Sequence, residues 1–144
     1  MDTDTGSLVV TEATVENLRD LWDARRGLIP PGRVRRVAVN DAVVQPSTAM
    51  VALPTRLIRQ LGLDGGCQKR VMHGTGFGEA PMYEAVRLTI RGRDCTTDVL
   101  EVPDDVPVLI GRLALLQLDL VVDARRRRLV GNPAHGGEQM FELF

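Results

Sequence analysis

Aromatic residues and lysine are both scarce in this sequence. Phe, Trp and Tyr make up 3% of the 144 residues, and Lys69 is the only lysine. A core with so few aromatic rings has to be built from Val, Leu, Ile and Ala. The apolar content of 44% still suffices for one packed domain, and it argues against a disordered chain.

An excess of charge and a membrane-spanning run are also missing. The formal net charge of -1 gives no general attraction to nucleic acid or to an anionic membrane. The most apolar stretch, residues 106–122, is interrupted by Gly111, Arg112, Gln117 and Asp119, so it does not predict a transmembrane helix. The acidic first residues are unlike a secretory signal, and we therefore expect a cytoplasmic protein.

Residues suited to hold a metal are few. The cysteines, Cys67 and Cys95, and the histidines, His73 and His135, share no metal-binding spacing. The sequence thus predicts no metal and no other cofactor. Two free thiols are the expectation for a cytosolic protein, and a disulfide between the cysteines stays an open alternative.

Short segments of strand-like pattern dominate the chain. Strands are predicted over residues 8–16, 33–44, 50–53, 69–73, 83–90, 95–102, 108–111, 120–122 and 128–130. Helices are predicted over 16–26, with Gly27 as the cap, and from Pro54 to Gly62, with a single turn at 113–118. Many strands and two or three short helices predict an all-β, barrel-like domain.

Three segments, taken in order, carry a resemblance to a known family. They are residues 41–63 (DAVVQPSTAMVALPTRLIRQLGL), residues 108–111 (VLIG), and residues 118–133, which contain LDLVVD and GNP. Together they resemble the retropepsin-like aspartic proteases, specifically their small bacterial single-domain members. In that family the first segment reads as an apolar strand, Asp-Thr-Gly-Ala, Leu-Pro, and a helix ending in Leu-Gly-Leu.

The resemblance implies a fold, a set of boundaries and an assembly. It implies a closed retropepsin-like barrel over residues 1–144, with the protease-like core at 33–135. Residues 1–32 would be a strand and helix extension, and 136–144 would be a C-terminal strand at the interface of a homodimer. The partner implied is an extended peptide or protein substrate bound under hairpin flaps.

The catalytic triplet of the family is replaced at the matching position. Counting back from Leu-Pro places the family's aspartate at Gln45 and the rest of the active-site loop at Pro46, Ser47 and Thr48. The family's reaction needs two carboxylates that share a proton, one from each subunit. A carboxamide does not titrate and cannot act as a general base, so we expect Gln45 to be incompetent for catalysis.

The resemblance also assigns two supporting elements. Gly74, Thr75 and Gly76 would form the tip of the flap, although a glycine-rich hairpin loop without a function would have the same composition. Leu109, Ile110 and Gly111 match the family element that packs beneath the active-site loop.

Other residues offer weaker alternatives. Asp4, within an Asp-Thr-Gly at residues 4–6, and Asp41, four residues before Gln45, could supply a non-standard carboxylate. Ser47 and Thr48 lack an evident base for a nucleophilic mechanism. The basic run at 125–128 is typical of a solvated hairpin tip, so no nucleic-acid partner is expected.

Three functional hypotheses follow from these patterns. The first is an inactive pseudo-protease that keeps the dimeric peptide-binding cleft. The second is an active aspartic endopeptidase that uses another carboxylate, and the third is a structural or interaction dimer without a working cleft.

Overall fold

The structure is a computed structural model that describes residues 8–141 and 143. Within this part of the chain lie nine strands and three short α-helices. The strands are β1 (Val9–Asn17), β2 (Arg36–Val44), β3 (Val51–Pro54), β4 (Cys67–His73), β5 (Gly76–Ile90), β6 (Arg93–Val102), β7 (Leu109–Ile110), β8 (Leu120–Asp123) and β9 (Arg128–Gly131). The helices are α1 (Leu18–Arg25), α2 (Thr55–Leu61) and α3 (Arg112–Leu118). The prediction of a mostly β domain with short helices is confirmed.

Seven of the strands form one sheet that closes into a ring. Their order is β1-β2-β7-β3-β6-β5-β4, and β1 also pairs with β5, so β4 is the only one of them outside the ring. The strands β8 and β9 form a separate antiparallel pair, as their sequences predict. The core fills the ring with aliphatic side chains, among them Val15, Leu53, Leu88, Val99 and Ile110.

The first strand has a larger role than the sequence suggested. The sequence places β1 in an extension, but in the structure it pairs with β2 from Val9↔Val44 onward and with β5 up to Asn17↔Val86. It therefore closes the ring. The alternating pattern of β1 shows only that one face is buried, and it carries no information about which strands lie on either side.

Helix boundaries follow local chemistry. Asn17 caps α1 by accepting a hydrogen bond from the backbone N–H of Asp20, at 3.0 Å. Gly62 ends α2 with φ at 63°, a left-handed conformation that costs glycine little. The predicted strand at 33–44 starts only at Arg36, because the prolines at 30 and 31 favour a short 3-10 turn over Pro31–Arg33.

Two further expectations concern the ends and the membrane. Residues 136–141 and 143 form no strand in the structure. An interface strand over 136–144 needs a partner strand to pair with, so it stays a prediction. In the part of the chain that the structure describes, no helix has the length and apolar character needed to cross a membrane.

Candidate functional site

The loop at residues 45–50 connects two strands across a third. β7 lies between β2 and β3; it runs parallel to β2 (Val44↔Ile110) and antiparallel to β3 (Ala52↔Leu109). The chain must therefore cross over the end of β7 to pass from β2 to β3. This crossing connection carries Gln45, Pro46, Ser47 and Thr48 to one end of the ring, with Pro46 and Ser47 in an exposed turn.

Backbone hydrogen bonds hold this loop against the end of β7 and the start of α3. The N–H of Gln45 donates to the carbonyl oxygen of Ile110 at 2.9 Å, and the N–H of Thr48 donates to the carbonyl oxygen of Gln45 at 3.0 Å. The first turn of α3 adds two more bonds, from the N–H of Arg112 to Thr48 (2.8 Å) and from the N–H of Leu113 to Ala49 (3.1 Å). The loop is thus hydrogen-bonded to Ile110, at the end of β7, and to Arg112 and Leu113, at the start of α3.

Gly111 is the tightest contact in that support. A Cβ built on Gly111 would overlap the carbonyl oxygen of Met50 and would lie 2.6 Å from the carbonyl carbon of Ala49. Both are backbone atoms, which cannot turn aside as the end of a side chain can. Only glycine therefore allows the loop to sit this close to β7.

The electrostatic surroundings of Gln45 are neutral to positive. Gln45 is half-buried, and its carboxamide makes no hydrogen bond to another residue of the described chain. Arg112 donates from Nη1 to the carbonyl oxygen of Ser47, at 3.3 Å. The loop itself has no acidic residue, so nothing on it can titrate as a carboxylic acid.

The alternative carboxylates do not lie on the loop. Asp41 is exposed on β2, where it lines an open hollow of about 520 Å³ together with Glu12, beside the β-bulge of β1. Four residues of extended chain separate it from Gln45, a distance of roughly 13 Å. Asp4 and its Asp-Thr-Gly lie outside the described residues.

A two-stranded arm projects from the ring. The long strand β5 begins at Gly76, well before the predicted start at 83, and as far as Pro81 it pairs only with β4. Gly74 and Thr75 form the two-residue turn at its tip, with φ of Gly74 at 58°. Next to this turn Met72 and Phe77 face each other across the arm, and they are 77% and 72% exposed.

A polar cluster fixes the base of the arm, and no sequence pattern indicated it. The Tyr83 hydroxyl donates to Glu101 at 2.8 Å, and the Thr55 hydroxyl donates to the other carboxylate oxygen at 2.6 Å. The hydrogen bond to Glu101 raises the pKa of Tyr83. Gly66 lies against the Tyr83 ring, which leaves no room for a side chain there.

A second cluster, around Asp119, holds the segment after β9. Asp119 is 7% exposed and accepts hydrogen bonds from the Nδ1 of His135 (2.7 Å), the backbone N–H of Met140 (3.1 Å) and the amide of Asn132 (3.4 Å). The hydrogen bond from His135 is the main cause that lowers the pKa of Asp119. His135 therefore has a structural contact, whereas His73 is exposed near the arm tip.

Exposed apolar side chains lie next to the loop and to this segment. Leu113 and Leu116 are one turn apart on α3, at 49% and 71% exposure, and Met140 and Phe141 are 51% and 74% exposed. Leu113 is hydrogen-bonded to the loop at the start of α3, and Met140 to Asp119 at the C-terminal end of α3, so the four residues lie on or beside this helix. We call Leu113, Leu116, Met140 and Phe141 the apolar face.

Other candidates stay apart from this site. In residues 8–141 and 143, no three His, Cys, Asp or Glu side chains come together in a group that could hold a metal ion. Cys67 and Cys95 are both free. The arginines at 125–128 are exposed at the turn between β8 and β9, where Arg126 pairs with Asp123.

No family model matches the chain, and no curated protein matches its sequence.

Proposed function

We propose that this chain is a retropepsin-like aspartic-protease homologue that binds an extended peptide as a homodimer and does not cleave it. The observation that supports this most strongly is the loop at 45–50. It crosses β7 between two strands, it is hydrogen-bonded to Ile110, Arg112 and Leu113, and it carries Gln45 in place of an acid.

The loss of cleavage follows from the chemistry of Gln45. Peptide hydrolysis by this mechanism needs one carboxylate to activate water and one carboxylic acid to polarise the carbonyl group. A dimer with Gln45 in both subunits has neither. Arg112 beside the loop adds positive charge, which does not replace a general base.

Peptide binding is supported by the arm. β4 ends the sheet, so one of its edges has backbone groups without a strand partner among the described residues. Such an edge can receive an extended peptide as an added strand. The exposed pair Met72 and Phe77 would supply apolar contacts beside the added strand.

Dimerisation is supported by the apolar face. Two of its exposed apolar side chains are on α3 and two are in the segment bonded to Asp119, and their burial would stabilise an assembly. A two-fold axis beside the loop would bring the two Gln45 residues together in one cleft. Replacing both Leu113 and Leu116 by Glu should convert the dimer to a monomer in sedimentation velocity. Leu28 is also exposed but lies beyond the far end of β1, so Leu28→Glu should leave the dimer intact.

The decisive experiment compares the natural chain with a restored triplet. A library of extended peptides is incubated at acidic pH, and binding is read by fluorescence anisotropy and cleavage by mass spectrometry. The natural chain should bind without cleaving, and the variant Gln45→Asp, Pro46→Thr, Ser47→Gly should cleave. The same triple variant carrying Asp41→Asn is the control, and it should cleave equally well.

Two results would contradict the proposal. Cleavage by the natural chain that disappears with Asp41→Asn or Asp4→Asn would favour an active endopeptidase with another carboxylate. A stable dimer that binds no peptide would favour a structural role.

A further inference from the structure

The exposed side of α1 carries the only tryptophan of the chain beside two arginines. Trp22, Arg25 and Arg26 follow one another at helical spacing, which places them on one face. They line an open hollow of about 250 Å³, and Trp22 is 49% exposed. We call these three residues the α1 patch.

The needs of the fold explain only part of this arrangement. Arg25 lies in the last turn of α1, where a positive charge stabilises the helix dipole. That effect gives no reason for a half-exposed indole, whose burial would remove roughly 100 Å² of apolar surface from water. Trp and Arg are also the residues most enriched at the energetic centres of protein interfaces.

In residues 8–141 and 143, no ion pair offsets the positive charge of the patch. Asp20 pairs with Arg35 at 2.8 Å, and Glu16 pairs with Arg36 at 3.0 Å. Among the described residues, Arg25 and Arg26 form no ion pair, and neither does Arg33 on the neighbouring 3-10 turn. The surface is therefore complementary to a negatively charged partner.

The patch is remote from the loop at 45–50. Val9, at the start of β1, pairs with Val44 next to Gln45, whereas α1 follows the other end of β1. The strand between these ends spans roughly 27 Å. A ligand on the α1 patch would therefore bind independently of the proposed cleft.

We propose that the α1 patch is a docking site for an acidic segment of a partner protein, one with an apolar side chain flanked by Asp or Glu. The hollow is smaller than the roughly 300–1,000 Å³ of small-molecule sites, and it is open, so it fits one anchoring side chain better than an enclosed ligand. Carboxylates on either side of that anchor would pair with Arg25 and Arg26.

The test uses Trp22 as its own reporter, since it is the only tryptophan. The probe is the peptide acetyl-Glu-Glu-Phe-Glu-Glu-amide, and fluorescence excited at a wavelength that neither Phe nor Tyr absorbs reports only on Trp22. We expect a saturable change that weakens at least about tenfold in Arg25→Glu with Arg26→Glu, and that weakens with added salt. Calorimetry on Trp22→Ala should show the same loss of binding.

The controls separate a site from general attraction. Arg125→Glu with Arg127→Glu makes the same change of charge at the β8–β9 turn, and it should leave the affinity within about twofold. The lysine analogue of the peptide should not bind. Any one of three results would overturn the proposal. They are the absence of a saturable fluorescence change, an equal loss of affinity in both double variants, and tighter binding of adenosine monophosphate than of the peptide.

Discussion

The backbone N–H of Gln45 donates a hydrogen bond to the carbonyl oxygen of Ile110, at 2.9 Å. These two residues are far apart in the sequence, and the bond continues the parallel pairing of β2 with β7 by one residue. It fixes where the Gln45 side chain leaves the sheet. The loop therefore starts from a rigid position, as a binding or catalytic loop requires.

Gly111→Ala is expected to destabilise the chain by about 2 kcal/mol, because the new Cβ would push against the backbone of Ala49 and Met50. Urea unfolding measures this loss. Gly32→Ala is the matched control, since a Cβ there meets nothing within 4 Å, and it should change the free energy of unfolding by less than about 0.5 kcal/mol. Equal effects of the two substitutions would contradict the tight support of the loop.

Asp20 is expected to make stability depend on pH in the acidic range. Its hydrogen bond from the Arg35 side chain lowers its pKa below the ordinary value of 3.8. The unfolded chain then binds more protons, so this stabilisation is complete above about pH 4 and is lost as the pH falls through the lower folded pKa.

Asp20→Asn tests that dependence. The substitution should lower the free energy of unfolding by about 2 kcal/mol at neutral pH, because a neutral amide replaces the carboxylate that accepts the hydrogen bonds from Arg35. In this variant, the urea concentration at the midpoint of unfolding should also decrease less steeply as the pH falls below 4. An unchanged acid profile in the variant would show that Asp20 is not responsible.

The two thiols are expected to react at very different rates. Burial raises the pKa of Cys95 to about 11, whereas Cys67 is exposed. Cys67 on β4 lies opposite Met82 of β5, and Cys95 on β6 lies opposite Leu88 of β5. The two cysteines are therefore separated by two strand spacings and by six residues along β5, roughly 20 Å. A disulfide between them is excluded in this fold, because bridged Cα atoms lie within about 7 Å.

Labelling with a thiol reagent at pH 8 checks this difference. One thiol per chain should react quickly, and Cys67→Ser should abolish the fast phase. A fast phase that survives Cys67→Ser and disappears in Cys95→Ser would contradict the burial of Cys95.

Asp119→Asn is expected to loosen the segment after β9. Asparagine tolerates the left-handed backbone at this position, where φ is 54°, but it cannot accept all three bonds from His135, Asn132 and Met140. Amide hydrogen exchange over 132–140 should become about tenfold faster. Asp123→Asn, at the β8–β9 turn, should leave exchange in that segment unchanged.

Local features of this chain could be predicted from the sequence alone. The end of α2 needs a left-handed residue, which Gly62 supplies, and the pair β8 and β9 flanks a short polar turn. Such features depend on neighbouring residues, so the sequence pattern contains them. The absence of an acid at 45–50 is likewise a fact of the sequence. At the arm the sequence indicated only a glycine-rich tip, and the two-residue turn at Gly74 and Thr75 was not predicted.

Long-range pairing was decided only by the tertiary structure. The placement of β7 between β2 and β3, and the closure of the ring by β1 and β5, join segments that are distant in the sequence. The partners of Asp119 and Glu101 follow from the same packing. Periodicity shows that a strand has a buried face, but the order of strands in a sheet depends on the free energy of the whole fold.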